Sequence, residues 1–381
     1  MNGDASGLCY ASMSQPTSRS LPISIIDRDA VVPPFLDALR GADVVAADME
    51  FSNDTTRVLL MQFATDREVF LFDPLSVSDL EPVLTWLADP AQTKVFHSGH
   101  DDARLVARQY GTETRGVVDT QVMAAFCGYR YPVGLAALLD SMLGIVISKG
   151  QQRSDWATRP LSSAQVRYAA TDVLHLREIL SRFTEQLAGS PQLAWAREES
   201  RRVVEERAGF SHPEAADWRF LDDYRATPEQ TLLALRLLDW SRDLRLPRVN
   251  GKKRSARPRD LQHIMEWIAS GEALQPGARA LPGWLTSAHA QAITALGGAP
   301  PNAEETARLE RLPPPGPTRQ ERGERIASLM QHIEKRGVEY NIQPALIATK
   351  TAVEDLVRFG AAACSILTQG WRAELLDLEQ V

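Results

Sequence analysis

Asp48 and Glu50 stand two residues apart at the end of the apolar run Val44-Val45-Ala46-Ala47. In an extended strand that spacing turns both side chains to one face. Neighbouring carboxylates at the end of a buried strand repel each other and lose hydration, and a divalent cation removes both costs. Asp102 opens a helical pattern just after a second apolar run, Lys94-Val95-Phe96-His97. Asp172 follows Tyr168 by one helical turn, so acid and phenol share a stripe. Taken singly, each feature has a plain structural reading: strand-end polarity, an acid favoured by a helix dipole, a surface pair. The ordered set of four carboxylates with a tyrosine points instead to chemistry built on bound cations.

The elements that must bring these residues together read as α/β. Strands are expected at 44–47, 58–63, 69–72 and 94–97, and helices at 80–87, 102–110, 135–143 and, as one long helix, 163–187. Ser162, with Gln165 three residues on, marks the start of the last by a capping box. Strands precede helices, so a mostly parallel or mixed sheet flanked by helices is expected. From about residue 195 strand signals vanish. Thr227-Pro228-Glu229-Gln230 starts a helix there, and further helical segments follow at 325–335, 343–359 and 371–376. The break Leu312-Pro313-Pro314-Pro315-Gly316-Pro317 suits a stiff linker.

A chain of 381 residues is right for two or three domains, and 44% apolar with 24% charged residues excludes a largely disordered protein. No run approaches the ~20 apolar residues that a membrane-spanning helix needs. The Ser-rich first twenty residues lack the pattern of a secretory signal and read as a loose tail. Three scattered cysteines argue for a reducing cytoplasm. With a net charge of −7, any binding of nucleic acid must come from local basic patches. One candidate is the stretch 242–259, a basic loop with Lys252, Lys253 and Arg254 around an Asn250-Gly251 turn. A merely solvated loop and a phosphate-contacting one remain equally open.

The set Asp48-x-Glu50, Asp102 and Tyr168-x-x-x-Asp172 resembles the exonuclease motifs of the DEDD superfamily, in its tyrosine-containing version. The surrounding text, Phe96-His97-Ser98-Gly99-His100-Asp101-Asp102, Asp119-Thr120-Gln121, Lys149 to Trp156 and Arg159-Pro160-Leu161-Ser162, is similar to the ribonuclease D family. The sibling group's histidine, five residues before the last aspartate, is here Arg167. The resemblance implies an α/β nuclease domain with a ribonuclease H-like mixed sheet flanked by helices, followed by two small all-α domains. In residues these are a tail at 1–20, the exonuclease domain at 21–205, a divergent HRDC-like domain at 210–295, a proline-rich linker at 305–317 and a second HRDC-like domain at 318–381.

It further implies two divalent cations, Mg²⁺ or Mn²⁺, held by Asp48, Glu50, Asp102 and Asp172, with Tyr168 orienting the attacking water. Asp102 rather than its neighbour Asp101 matches the motif. The implied reaction is hydrolysis of RNA 3′ ends to nucleoside 5′-monophosphates, with tRNA precursors and other structured RNAs as partners and a monomeric, cytoplasmic enzyme. A DNA-directed 3′→5′ exonuclease is the alternative; a non-catalytic RNA-binding module is disfavoured by the intact acidic set. Phe51 and His97 are further candidates for substrate contact, against packing roles for both. Asp119, Asp155 and Trp156 read as supports of the site.

Overall fold

The computed structural model describes residues 21–52, 57–147, 150–151, 154–205, 214–244, 246–249, 252–278, 281–314 and 316–378, with backbone alone at 247–249 and 252–254. The expected tail 1–20 lies outside them, as do Lys149, Gln152, Arg153 and the Asn250-Gly251 pair. The chain divides into two compact units, one from Met1–Ala208 with Glu334–Ile347 and one from Gly209–Ile333 with Ala348–Val381.

In the first unit the apolar runs become strands: β1 (Ile23–Ile26), β2 (Val44–Phe51), β3 (Val58–Ala64), β4 (Val69–Phe72), β5 (Thr93–Phe96) and β6 (Val117–Asp119). Among the described residues they form one six-stranded mixed sheet of order β1-β4-β3-β2-β5-β6. β2, β5 and β6 run parallel, β3 is antiparallel to both its neighbours, and β1 is parallel to β4. Every residue of β3 and β4 is buried, as expected of strands covered on both faces. The edge strand β1, which periodicity alone does not reveal, keeps Ile23 and Ile25 exposed.

Helices α1 (Val32–Arg40) and α2 (Glu81–Ala88) cover one face. The Phe35 ring lies 5.5 Å from Phe63, 5.3 Å from Phe70 and 5.5 Å from Phe72, and Trp86 meets Phe63 edge-on at 5.6 Å. Each such buried ring contributes about 1.5–3 kcal/mol, which locks the sheet from behind. Next come α3 (His100–Tyr110), α4 (Thr120–Phe126) and α5 (Leu135–Leu143). Then α6 (Ser163–Leu174) packs across β2, β3 and β4.

The capping box of α6 forms: Ser162 Oγ accepts from the Gln165 N–H at 3.2 Å, and Gln165 Oε1 accepts from the Ser162 N–H at 2.9 Å. The single helix expected over 163–187 is in fact two. His175 turns its N–H to the Val173 carbonyl, and α7 (Leu176–Gln186) restarts with Leu176, Ile179 and Phe183 buried. α8 (Gln192–Ser200) follows.

The second unit is mostly helical. α9 (Ala215–Asp222) precedes α10 (Pro228–Asp243), where Thr227 Oγ1 accepts from the Gln230 N–H at 3.2 Å. The expected loss of all strands is corrected here. Residues 246–249 and 252–254 pair antiparallel as β7 and β8, so the basic loop is largely a hairpin on which Leu246 is buried. α11 (Pro258–Ala269), α12 (Ser287–Ala295) and α13 (Ala303–Glu310) follow, so the first residues of the expected proline linker are helical. α14 (Arg319–Tyr340) begins in this unit, while its residues from Glu334 onward are counted with the first. The segment expected as one helix over 343–359 is α15 (Pro344–Ile347), counted with the first unit, and α16 (Lys350–Phe359) in the second, because Thr349 caps α16 by accepting from the Ala352 N–H at 3.1 Å. The last helix is α17 (Gly370–Leu376). Arg358, 6% exposed, reaches Asp223 at 2.6 Å and Asp222 at 3.4 Å within this unit.

Candidate active site

Strand alternation sets Asp48 and Glu50 on one face of β2, and α6 crosses that strand carrying Tyr168 and Asp172 one turn apart. Asp48, Glu50 and Asp172 each bring a carboxylate oxygen to within 4.8 Å of one another. Asp102 arrives separately, from the first turn of α3, and stands outside that tight group. It is 5% exposed and feels the charge of Asp48, and its own charge acts on Glu50. Asp101, next to it, faces solvent and pairs with Arg104 at 2.9 Å. The two adjacent aspartates thus point to different surroundings.

Lost hydration and mutual repulsion dominate the electrostatics. Burial, followed by the charges of Asp48, Asp172 and Asp102, pushes Glu50 up to about 9. Burial raises Asp48 to about 7, and burial with the Asp48 charge raises Asp172 to about 8. Asp102 is raised well above the usual range by burial and then by Asp48. A set of oxygen donors this costly to ionise fits a hard divalent cation, which favours carboxylate ligands. The fit extends to single atoms. Asp102 Oδ1 is buried without a hydrogen-bond partner, an expensive condition unless a cation or its water takes the lone pairs.

Gln62 escapes sequence reasoning although it left a signal: it is the lone amide in the otherwise apolar strand Val58–Ala64. It faces Asp48 across the β2–β3 ladder, is wholly buried, and neither amide atom has a partner. Opposed residues in an antiparallel pair share a face, so the free amide lies on the acidic side of the sheet.

The Tyr168 hydroxyl donates to the Asp172 carboxylate, and burial with the charges of Asp172, Glu50 and Asp48 pushes the phenol up and keeps it protonated. Its ring packs 6.0 Å from that of Trp156, which is 2% exposed. The approach to α6 is latched by Arg159. Its Nε and Nη2 donate to the Asp73 carboxylate at 2.6 and 2.8 Å, Nη2 also to Leu59 O at 2.7 Å, and Nη1 to Trp156 O at 2.7 Å. Asp155 is exposed, accepts from the Ala157 N–H at 3.0 Å and from the Thr158 hydroxyl at 2.7 Å, and so shapes the turn before α6. A cleft of about 500 Å³ opens beside Tyr168 and Asp172, with Val146, Gln151, Arg167 and His175 on its walls. The Arg167 side chain is exposed at its edge.

Other candidates lie elsewhere. Phe51 follows a register shift in β2 and packs against the core behind the sheet. Both His97 nitrogens are engaged, Nδ1 with Thr120 Oγ1 at 2.9 Å and Nε2 with Val133 O at 2.9 Å, and burial lowers its basicity. His97 therefore offers no free ring nitrogen to a substrate. Lys252, Lys253 and Arg254 fall on β8 in the second unit, where only the backbone is described.

A mixed sheet with acids from its second strand, a following helix and a crossing helix bearing tyrosine and aspartate defines a 3′→5′ exonuclease, and the family model of that description matches residues 23–188. The chain is 31% identical over 265 residues to ribonuclease D of Escherichia coli (strain K12), covering 68% of this chain and 67% of that protein. It is 30% identical over 369 residues to ribonuclease D of Acidiphilium cryptum (strain JF-5), covering 92% and 90%. The crystal structure of Escherichia coli RNase D, described as an exoribonuclease involved in structured RNA processing, superposes with a TM-score of 0.65 at 23% identity, covering 93% of this chain and 96% of that one. The chain belongs to the ribonuclease D family of 3′→5′ exoribonucleases. No helix among the described residues is long and apolar enough to cross a membrane.

Proposed function

We propose that this protein hydrolyses the terminal phosphodiester at RNA 3′ ends, releasing nucleoside 5′-monophosphates and trimming tRNA precursors and other structured RNAs. The observation that carries the reading is the convergence of Asp48, Glu50 and Asp172 with the buried, partnerless Asp102 Oδ1 beside them. Asp48, a member of the tight group whose charge also acts on Asp102, would with Glu50, Asp172 and Asp102 hold two Mg²⁺ or Mn²⁺ ions. Such ions, when bound, activate water and stabilise the leaving oxygen. Tyr168, a protonated phenol fixed by Asp172 and Trp156, orients the water by its hydroxyl rather than taking its proton. The exposed Arg167 at the edge of the cleft offsets phosphate charge close to an otherwise acidic centre. The helical segments are read as HRDC-like modules at 210–295 and 318–381 that assist RNA binding by a monomeric chain.

The test is incubation of end-labelled RNA and DNA with Mg²⁺, with Mn²⁺ and with chelator. Stepwise loss of mononucleotides from RNA, abolished by chelator, is the expected result. Preference for DNA would replace the substrate, and metal-independent cleavage would refute the site.

Two variants examine the parts. Tyr168→Phe should lower kcat roughly 10–100-fold with KM little changed, since only the water's placement suffers. An unaltered single-turnover rate would remove that role. Replacing Lys252, Lys253 and Arg254 by glutamine should raise KM and reduce the salt slope of RNA binding by about 2, as expected for three lost phosphate contacts on a single strand. An unchanged slope would leave the hairpin merely solvated.

A further inference from the structure

Three of the four acids are fixed by the elements that carry them, and Asp102 is the exception. Asp48 and Glu50 are held by the β2 ladder, while Asp172 is held by the capped and latched α6. Asp102 sits in the first turn of α3, whose N-cap is Gly99 and has no side chain to accept the free N–H groups. The backbone entering the helix, at Ser98 and Gly99, instead finds its acceptor about twenty residues downstream. Asp119 Oδ1 accepts from the Ser98 N–H at 3.1 Å, and Asp119 Oδ2 from the Gly99 N–H at 2.9 Å.

The same Oδ1 caps α4 by accepting from the Gln121 N–H at 2.8 Å and the Val122 N–H at 3.4 Å. Asp119 is 1% exposed, and its own N–H donates to Ser200 Oγ at 3.1 Å. The joint it grips has no slack. Ser98 adopts a left-handed φ of 63°, and a Cβ on Gly99 would lie 2.6 Å from Phe96 Cβ. Oδ1 of Asp102 lacks a hydrogen-bond partner and the carboxylate accepts from its own backbone N–H, so where it stands follows the first turn of α3 and the backbone that enters it at 98–99.

We propose that Asp119 is a positioning residue for the reaction: it fixes the entry of α3 and so aims the Asp102 carboxylate at the cation site shared with Asp48. The proposal rests on the functional reading above. Its loss acts through Asp102, because Asp119 spends both its oxygens on backbone N–H groups.

Asp119→Asn discriminates by atom. An amide can keep the Oδ1 bonds to Ser98, Gln121 and Val122, but its nitrogen cannot accept from Gly99. Asp119→Ser goes further, since its short hydroxyl can still cap α4 but cannot span to 98–99. Mn²⁺ affinity of the full chain is measured without RNA, by calorimetry and by the metal-induced rise in Tm, alongside kcat and KM. Both variants should bind Mn²⁺ roughly 10–100-fold more weakly, the usual effect of losing a group that orients a metal ligand. kcat should fall and recover in part at high Mn²⁺, with KM for RNA unchanged.

Thr227→Ala, which removes a helix cap in the second unit, is the control: it should lower Tm and leave Mn²⁺ affinity alone. Asp119 variants that lose Tm yet bind Mn²⁺ as the parent does would overturn the proposal and leave Asp119 a helix cap. A parent chain that binds no Mn²⁺ would overturn the functional reading first, and this one with it.

Discussion

Asp48→Ala and Asp172→Asn are each expected to reduce RNA hydrolysis by at least roughly 10³-fold while leaving RNA binding within a few-fold. The size follows from what each side chain does: either loss removes a charge from a site whose purpose is to concentrate negative oxygen around cations. That loss equals about 4 kcal/mol of transition-state stabilisation. Asp172→Asn is the sharper variant, because the amide oxygen can still accept from Tyr168 and little shape is lost. It also makes an opposite prediction for stability. Asp172 is pushed up to about 8 by burial and by Asp48, so at alkaline pH the metal-free fold carries an unwelcome charge there. Removing it should raise the metal-free Tm by several degrees, while the metal-induced rise shrinks. Undiminished turnover, or a metal-free Tm that falls instead, would refute the electrostatic account.

The second large effect is a pH dependence of metal binding. In the folded, metal-free protein Asp48 and Asp172 titrate near 7 and 8 and Glu50 near 9, against an ordinary carboxylate range near 4 when unfolded. Between those limits the folded chain holds protons that the unfolded chain has released. Stability therefore falls as pH rises from about 4 through about 9. A bound cation needs the acids deprotonated, so its affinity should climb over the same window and level off above it. Thermal melts with Mg²⁺ and with chelator should diverge steadily from about pH 6 to about pH 9. Calorimetry in two buffers of different ionisation enthalpy should count about one or more protons released per ion near neutrality. An equal Tm gap at both ends of the range, with no proton release, would contradict the site as built.

Much of this protein is legible in its order of residues because local rules suffice. Val44 to Ala47 is apolar on both faces and becomes a central strand, and the i, i+2 spacing of Asp48 and Glu50 gives them a common side. Ser162 and Gln165 announce the start of α6, and Tyr168 and Asp172 share its stripe. Where local rules failed, burial and strand pairing had the last word. The helix expected through His175 breaks there, so that α7 can bury Leu176, Ile179 and Phe183. The basic loop pairs with itself as β7 and β8, and the edge strand β1 exists because β4 offers it a ladder.

The amino-acid sequence by itself singled out the groups proposed for the chemistry: four carboxylates and a phenol, at spacings that periodic elements convert into faces. Only the tertiary structure decided that Gln62 stands opposite Asp48 and that Asp119 grips the start of α3. Each of these depends on how separate elements pair and pack, and no local pattern of spacing encodes which distant neighbour a side chain will find.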